Sequence, residues 1–157
     1  MKTDPASGEA PGAPASAAEP VLVSACLLGE ACRYDGAARA PLVSATASLR
    51  PIPICPERMA GMGVPRPPIE RLDNGRVVRV ADGVDVTAAL EEAAARLIVL
   101  AREVGARRAV LKEYSPSCGV NALKRRGEVV SGRGLVAERL AAAGLELTTE
   151  SQSGGHE

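Results

Sequence analysis

Three short aliphatic runs in this chain each lead into a turn that carries a cysteine. Residues 21–25 (Val-Leu-Val-Ser-Ala) precede Cys26, and residues 51–54 (Pro-Ile-Pro-Ile) precede Cys55. Residues 109–111 (Ala-Val-Leu) run into Lys-Glu-Tyr-Ser-Pro-Ser-Cys-Gly, which ends on Cys118 and Gly119. Unbroken apolar runs are the pattern of strands buried on both faces, as in parallel sheets. In open α/β sheets, ligands sit outside the carboxyl ends of the strands. If the three runs are neighbours in one parallel sheet, their thiols meet along one edge. Cys32 shares the first loop with Cys26.

The rest of the chain supports that architecture. Residues 71–80 read as a hairpin turning at Asp73-Asn74-Gly75, with Val77, Val78 and Val80 in the return arm. Thr87 is placed to cap a helix whose apolar face is Leu90, Ala94, Leu97, Ile98 and Ala101, and Gly105 ends it. A second helix spans 134–143 and stops at Gly144; a last strand spans 145–149. A short helix is expected over 41–49. Residues 56–70 carry so many Pro and Gly that no regular element is expected there. The fold class is α/β: a small single-domain, parallel, Rossmann-like sheet with helices on its faces. The domain is expected over 20–150. The segments 1–19 (Ala, Pro, Ser, Gly, Glu) and 151–157 lack the apolar residues needed to offset ordering entropy, so both are expected to be disordered. His156, the only histidine, falls in the second of these and makes a poor ligand or base.

Formal net charge is zero, without the basic excess that gives a grip on nucleic acid. No apolar run approaches the ~20 residues of a membrane span, and the first residues show no signal-peptide pattern. The expectation is a cytoplasmic protein, where cysteines suggest a metal site or a reactive thiol before disulfides. Phe and Trp are absent. Both tyrosines lie near a cysteine, Tyr34 after Cys32 and Tyr114 before Cys118. They read either as stacking surfaces for a planar ligand or as half-buried anchors.

The spacing of Cys26, Cys32, Cys55 and Cys118 contains no C-x2-C knuckle, so zinc is weakly supported. Zinc, disulfides and an iron–sulfur cluster stay open on spacing alone; a cluster needs only thiolates that converge in space. Groups suited to proton chemistry surround these thiols: Glu57, Lys112, Glu113, Ser115, Ser117, and Arg66 set between prolines.

Five blocks of the sequence resemble the DUF523 domain family. They are Val-Ser-Ala-Cys-Leu-Leu-Gly (23–29), Cys-Arg-Tyr-Asp-Gly (32–36), Ile-Cys-Pro-Glu (54–57), Pro-Arg-Pro-Pro-Ile-Glu (65–70) and Leu-Lys-Glu-Tyr-Ser-Pro-Ser-Cys-Gly (111–119). The resemblance runs in order across 21–150. It implies a thiouracil desulfidase with a [4Fe-4S] cluster held by Cys26, Cys55 and Cys118, Cys32 being the non-ligand and one iron left open. It implies an acid/base role for Glu57 and a catalytic role for Ser115; the expected substrate contacts, Tyr34, Arg66 and Tyr114, come from the reading of the residues around the thiols. The implied reaction is hydrolysis without redox change, 2-thiouracil plus water giving uracil and hydrogen sulfide. The implied partner is a small thiolated nucleobase; thiolated tRNA, or a non-catalytic zinc or thiol module, are the alternatives. Two stretches depart from the family pattern: Arg58 to Gly63, where a Gly-Gly-Leu turn is usual, and the basic run Lys124-Arg125-Arg126, read as a solvated turn.

Overall fold

The computed structural model describes residues 18–31, 35–36, 41–42 and 48–150. Cys32, Tyr34, His156 and most of both expected disordered segments lie outside them. So does the middle of the helix expected over 41–49. The chain runs β1 (Glu19–Ser24), a 3-10 turn (Ala25–Leu28), β2 (Leu49–Ile54), α1 (Pro56–Met59), β3 (Ile69–Arg71), β4 (Val77–Arg79), α2 (Thr87–Val104), β5 (Arg108–Leu111), β6 (Ala122–Arg125), β7 (Glu128–Ser131), α3 (Leu135–Ala142) and β8 (Glu146–Thr149).

Four of these strands form one parallel sheet in the order β2-β1-β5-β8. Leu22 stands between Ile52 on one side and Ala109 on the other, and Val110 stands beside Thr148. The prolines of the second run fit because β2 is an edge strand, where a missing N–H disrupts nothing. β1 sends the chain to β2 on one side, and the later strands build out on the other. The order therefore reverses at β1, the switch point outside which an α/β sheet forms its crevice.

The alternation along β1 sorts the core into two clusters. Leu22, Ala109 and Leu111 pack with Leu90, Ala94, Leu97 and Ala101 of α2 and with Leu135, Val136 and Leu140 of α3. Val21, Val23 and Val110 point to the other face, where Leu27 of the 3-10 turn covers them. Each fully buried leucine contributes about 1.5–3 kcal/mol by leaving water. Arg139 of α3 and Glu91 of α2 join the helices across a 2.7 Å ion pair.

Several local expectations need correction. The cap of α2 is not Thr87. Asp85 Oδ1 accepts the Thr87 N–H at 2.8 Å, while the Thr87 hydroxyl turns inward to accept the Val77 N–H at 2.8 Å. Residues 56–59, expected to be irregular, form the single turn α1, with Pro56 at its start where a missing N–H costs nothing. Strand β1 begins at Glu19, whose carboxylate accepts from Nε and Nη2 of Arg108, each at 2.9 Å. Residues 122–131 form the hairpin β6–β7; of the basic run read as a solvated turn, Lys124 and Arg125 belong to β6 and Arg126 alone stands in the turn.

Candidate active site at the carboxyl edge of the sheet

The three strand-end thiols lie where the topology predicts. Cys26 is half-buried in the 3-10 turn that follows β1, a turn closed by Gly29 at φ 94°. Cys55 is half-buried at the N-cap of α1, one residue past β2. Cys118 is buried in the loop after β5. Burial pushes the Cys118 thiol up to about 12. The Ser24 and Ser117 hydroxyls act against the rise, and the charges of Glu57 and Cys26 add to it.

The loop that carries Cys118 is fixed from three directions. Glu113, buried at its base, accepts the N–H groups of Val120 (2.7 Å), Asn121 (3.0 Å) and Ala122 (3.4 Å), and the Asn121 amide as well. Burial favours the protonated carboxyl, but these donors outweigh it and hold the group below the usual carboxylate range. The start of α3 supplies the second support: Leu135 N–H donates to Pro116 O, and the Val136 and Ala137 N–H groups donate to Ser117 O. Loop carbonyls thereby satisfy donors that a helix start leaves open. Close approach of backbone is the third. A Cβ on Gly134 would stand 2.4 Å from the Ser117 carbonyl carbon, and one on Gly119 would stand 2.6 Å from Ala122 O.

Beside Cys118 runs a line of polar side chains, buried at Arg66, Glu57 and Ser117 and half-buried at Ser115. Arg66 Nε donates to Glu57 Oε1 at 2.7 Å, and Ser117 Oγ donates to Glu57 Oε2 at 2.8 Å. Ser115 Oγ lies 3.1 Å from Ser117 Oγ and accepts the Ser117 and Cys118 N–H groups at 3.1 and 3.0 Å. Arg66 also donates to Gly63 O at 2.9 Å. The departure from the family pattern at 58–63 therefore still presents Glu57: Gly61 and Gly63 provide the positive φ the turn needs, and Met62 N–H donates to Glu57 O.

A cleft of about 340 Å³ opens beside Cys55, walled in part by Ala25, Met59 and Arg58, the last 3.7 Å from Glu30. A larger hollow of about 670 Å³ lies between the turns of the two hairpins, bounded by Asp73, Arg125 and Arg126. No thiol lines it, whereas Cys55 lines the smaller cleft. In the larger hollow, Arg125 of the basic run is paired with Asp73 at 2.7 Å.

The structure thus brings Glu57, Arg66, Ser115 and Cys118 together, with Cys26 within electrostatic reach of Cys118. Arg66 is not at the surface: its side chain is 5% exposed and directed at Glu57. Tyr114 is 43% exposed, in a left-handed backbone (φ 71°), with the Lys112 ammonium 5.7 Å from its ring centroid. Tyr34 lies outside the described residues. Among the described residues no three His, Cys, Asp or Glu side chains are grouped to hold a single metal ion. Three thiols at three strand ends would instead suit a cluster, whose thiolate ligands come from separate points of the chain.

Comparison with known proteins agrees with this geometry. The model of the family described as 2-thiouracil desulfurase matches residues 21–152. The chain belongs to the 2-thiouracil desulfurase family. A curated relative, the uncharacterized protein YbbK of Bacillus subtilis (strain 168), is 34% identical over 145 residues, which cover 84% of this chain and 96% of YbbK. A solved structure, the [4Fe-4S]-dependent thiouracil desulfidase TudS, superposes with a TM-score of 0.76 at 36% identity, covering 85% of this chain and 92% of that one.

Sequence reasoning noted Ser117 and Glu113 without giving either a role, and passed over Gly119 and Gly134 as supports for the family's site. Ser117 carried a readable signal, a second hydroxyl on the far side of Pro116. The glycines carried none, because their backbone contacts come from distant segments.

Proposed function

We propose that this chain is a [4Fe-4S]-dependent desulfidase that hydrolyses 2-thiouracil to uracil and hydrogen sulfide without redox change. The observation that carries the reading is the hydrogen-bonded array Arg66–Glu57–Ser117–Ser115 set against Cys118, in a chain of this family. The similarity to a [4Fe-4S]-dependent thiouracil desulfidase supports the cofactor. In this reading Cys26, Cys55 and Cys118 hold the cluster and Cys32 does not. When bound, the cluster supplies a Lewis-acidic iron suited to a soft thiocarbonyl sulfur.

The chain's own residues carry the proton chemistry. Glu57, fixed on one oxygen by Arg66, receives a proton from the water that attacks carbon 2 of the substrate. Ser115 provides the hydroxyl that orients the substrate and passes a proton toward the departing sulfur. Water gives its oxygen to the ring and both hydrogens to the sulfide, so the atoms balance with no electron donor. Tyr114 offers an exposed ring to the flat base, and Tyr34 is assigned the same task. Arg66 acts through Glu57 rather than on the base. No helix among the described residues is long and apolar enough to cross a membrane; a cytoplasmic site of action is part of the proposal.

The test is turnover of 2-thiouracil under argon in 18O-labelled water. The reading requires equal amounts of uracil and sulfide, one labelled oxygen per uracil, and no dependence on added reductant. Turnover that needs an electron donor, or uracil without label, would refute hydrolysis.

A further inference from the structure

The geometry points to Ser117 as the positioning residue that joins Ser115 to Glu57, so that the two act as one unit. The inference rests on the roles proposed above and adds to them. It follows from counting hydrogens. Ser115 Oγ accepts two N–H groups, from Ser117 and Cys118, which occupies both of its lone pairs. Its one hydrogen remains to be placed. Glu57 Oε1 takes the Arg66 Nε–H, and of the two acceptors beside the Ser117 hydroxyl, Glu57 Oε2 at 2.8 Å and Cys118 Sγ at 3.8 Å, the carboxylate oxygen is far the nearer, so the Ser117 hydrogen goes to Glu57. Ser117 Oγ is then the acceptor for the Ser115 hydrogen at 3.1 Å. At rest the array runs from Ser115 to Ser117 to Glu57, with Arg66 fixing its far end; when Glu57 has taken the water's proton the hydroxyls turn, Glu57 donating to Ser117, Ser117 to Ser115, and Ser115 giving its hydrogen to the departing sulfur.

Among the described residues no hydrogen bond joins Ser115 directly to Glu57. Ser117 is 1% exposed, so the link it makes is shielded from solvent. Its backbone is equally constrained, since Ser117 O accepts the Val136 and Ala137 N–H groups of α3. The hydroxyl is therefore held by a rigid element, as a group that must keep its neighbours in register needs to be.

The test compares Ser117→Ala, Ser117→Thr, Ser115→Ala and the double variant Ser115→Ala/Ser117→Ala as anaerobically loaded holoenzymes. Iron and sulfide content is measured first, to separate cluster loss from loss of coupling. The inference expects Ser117→Ala to keep its iron and its KM within a few-fold and to lose kcat by roughly 100-fold, the lower range for a lost proton-transfer group. Ser117→Thr, which keeps the hydroxyl, should recover most of that loss, and the double variant should be no worse than the poorer single one, as for residues acting as a unit. An unchanged kcat in iron-replete Ser117→Ala, or single losses that multiply in the double variant, would overturn it. A readout independent of turnover is the slowly exchanging hydroxyl proton of Ser117 in the proton NMR spectrum of the cluster-free full chain. That signal should be present in the wild type, absent in Ser117→Ala and moved in Ser115→Ala. Its indifference to Ser115→Ala would also overturn the inference. If the wild-type protein does not turn over thiouracil, the functional reading fails, and the NMR result still decides the coupling.

Discussion

Arg66 and Glu57, nine residues apart in sequence, form a 2.7 Å ion pair almost sealed from water, their side chains 5% and 11% exposed. Breaking a buried pair leaves one charge without compensation, at a cost of about 3–5 kcal/mol. Glu57 keeps its bond from Ser117, which places the expected loss for Arg66→Met near 3 kcal/mol. Urea denaturation measures it. Arg66→Met/Glu57→Gln should recover most of the stability and none of the activity, because the charge is gone along with its partner.

Gly134 and Gly105 make a controlled comparison. An added Cβ at Gly134 meets the Ser117 carbonyl carbon at 2.4 Å, whereas one at Gly105 meets nothing within 4 Å. Gly134→Ala must push the loop that carries Cys118 off the start of α3. The expected outcome is iron content well below wild type, with a stability loss of about 1–3 kcal/mol from overpacking. Gly105→Ala places alanine at φ 79° at the end of α2, and should cost about 1 kcal/mol while leaving iron content unchanged. Equal iron in the two variants would contradict the support assigned to Gly134.

The parts of this fold that were legible in the sequence are those where one residue pattern has one physical cause. Residues 21–24 and 109–111 read as strands because a strand covered on both faces must be apolar throughout. Leu90, Ala94, Leu97 and Ala101 read as a helix face and are buried as one. The hairpin β6–β7 escaped because its two-residue turn is Arg126-Gly127, with φ 53° and 79°. Turns of that kind announce themselves as Asn-Gly or Asp-Gly, and an arginine in a left-handed backbone gives no such signal. The cap of α2 was misplaced because Asp85 and Thr87 are both capping residues, and only the packing against Val77 decides which faces inward. The thiols and Glu57 were visible as local motifs. The coupling through Ser117 was not, since Ser117 and Glu57 stand 60 residues apart and meet only in the folded chain.

Glu113 should give the protein a defined acid sensitivity. The N–H groups of Asn121 and Val120 overcome its burial and hold the carboxyl below its ordinary 4.5. The folded state thus binds this proton less readily than the unfolded chain. The stabilisation is fully present above pH 4.5 and is lost as pH falls through the lower, folded value. Glu113→Gln sets an amide against those donors, and should cost about 1–3 kcal/mol at neutral pH and flatten that part of the pH–stability curve. Urea midpoints of both proteins across the acid range measure this.

Cys118 should do the opposite at alkaline pH in the cluster-free protein. Its thiol rises from 9.0 to about 12, so between those values the fold keeps a proton that the unfolded chain releases. Stability therefore falls as pH rises through that window. Cys118→Ala should remove the fall. In alkylation with iodoacetamide, Cys118 should react more slowly than Cys26 and Cys55, since thiolate character and exposure set the rate and Cys118 alone of these three is buried. Mass mapping of the labelled peptides reads the order.

The most direct test of the account is the iron and acid-labile sulfide content of protein purified under argon, for the wild type beside Cys26→Ala, Cys55→Ala, Cys118→Ala and Cys32→Ala. The account predicts the stoichiometry of one four-iron cluster in the wild type and in Cys32→Ala, and its loss in the other three. A wild-type protein that stays free of iron after anaerobic reconstitution, or a Cys118→Ala variant that keeps the full complement, would contradict it.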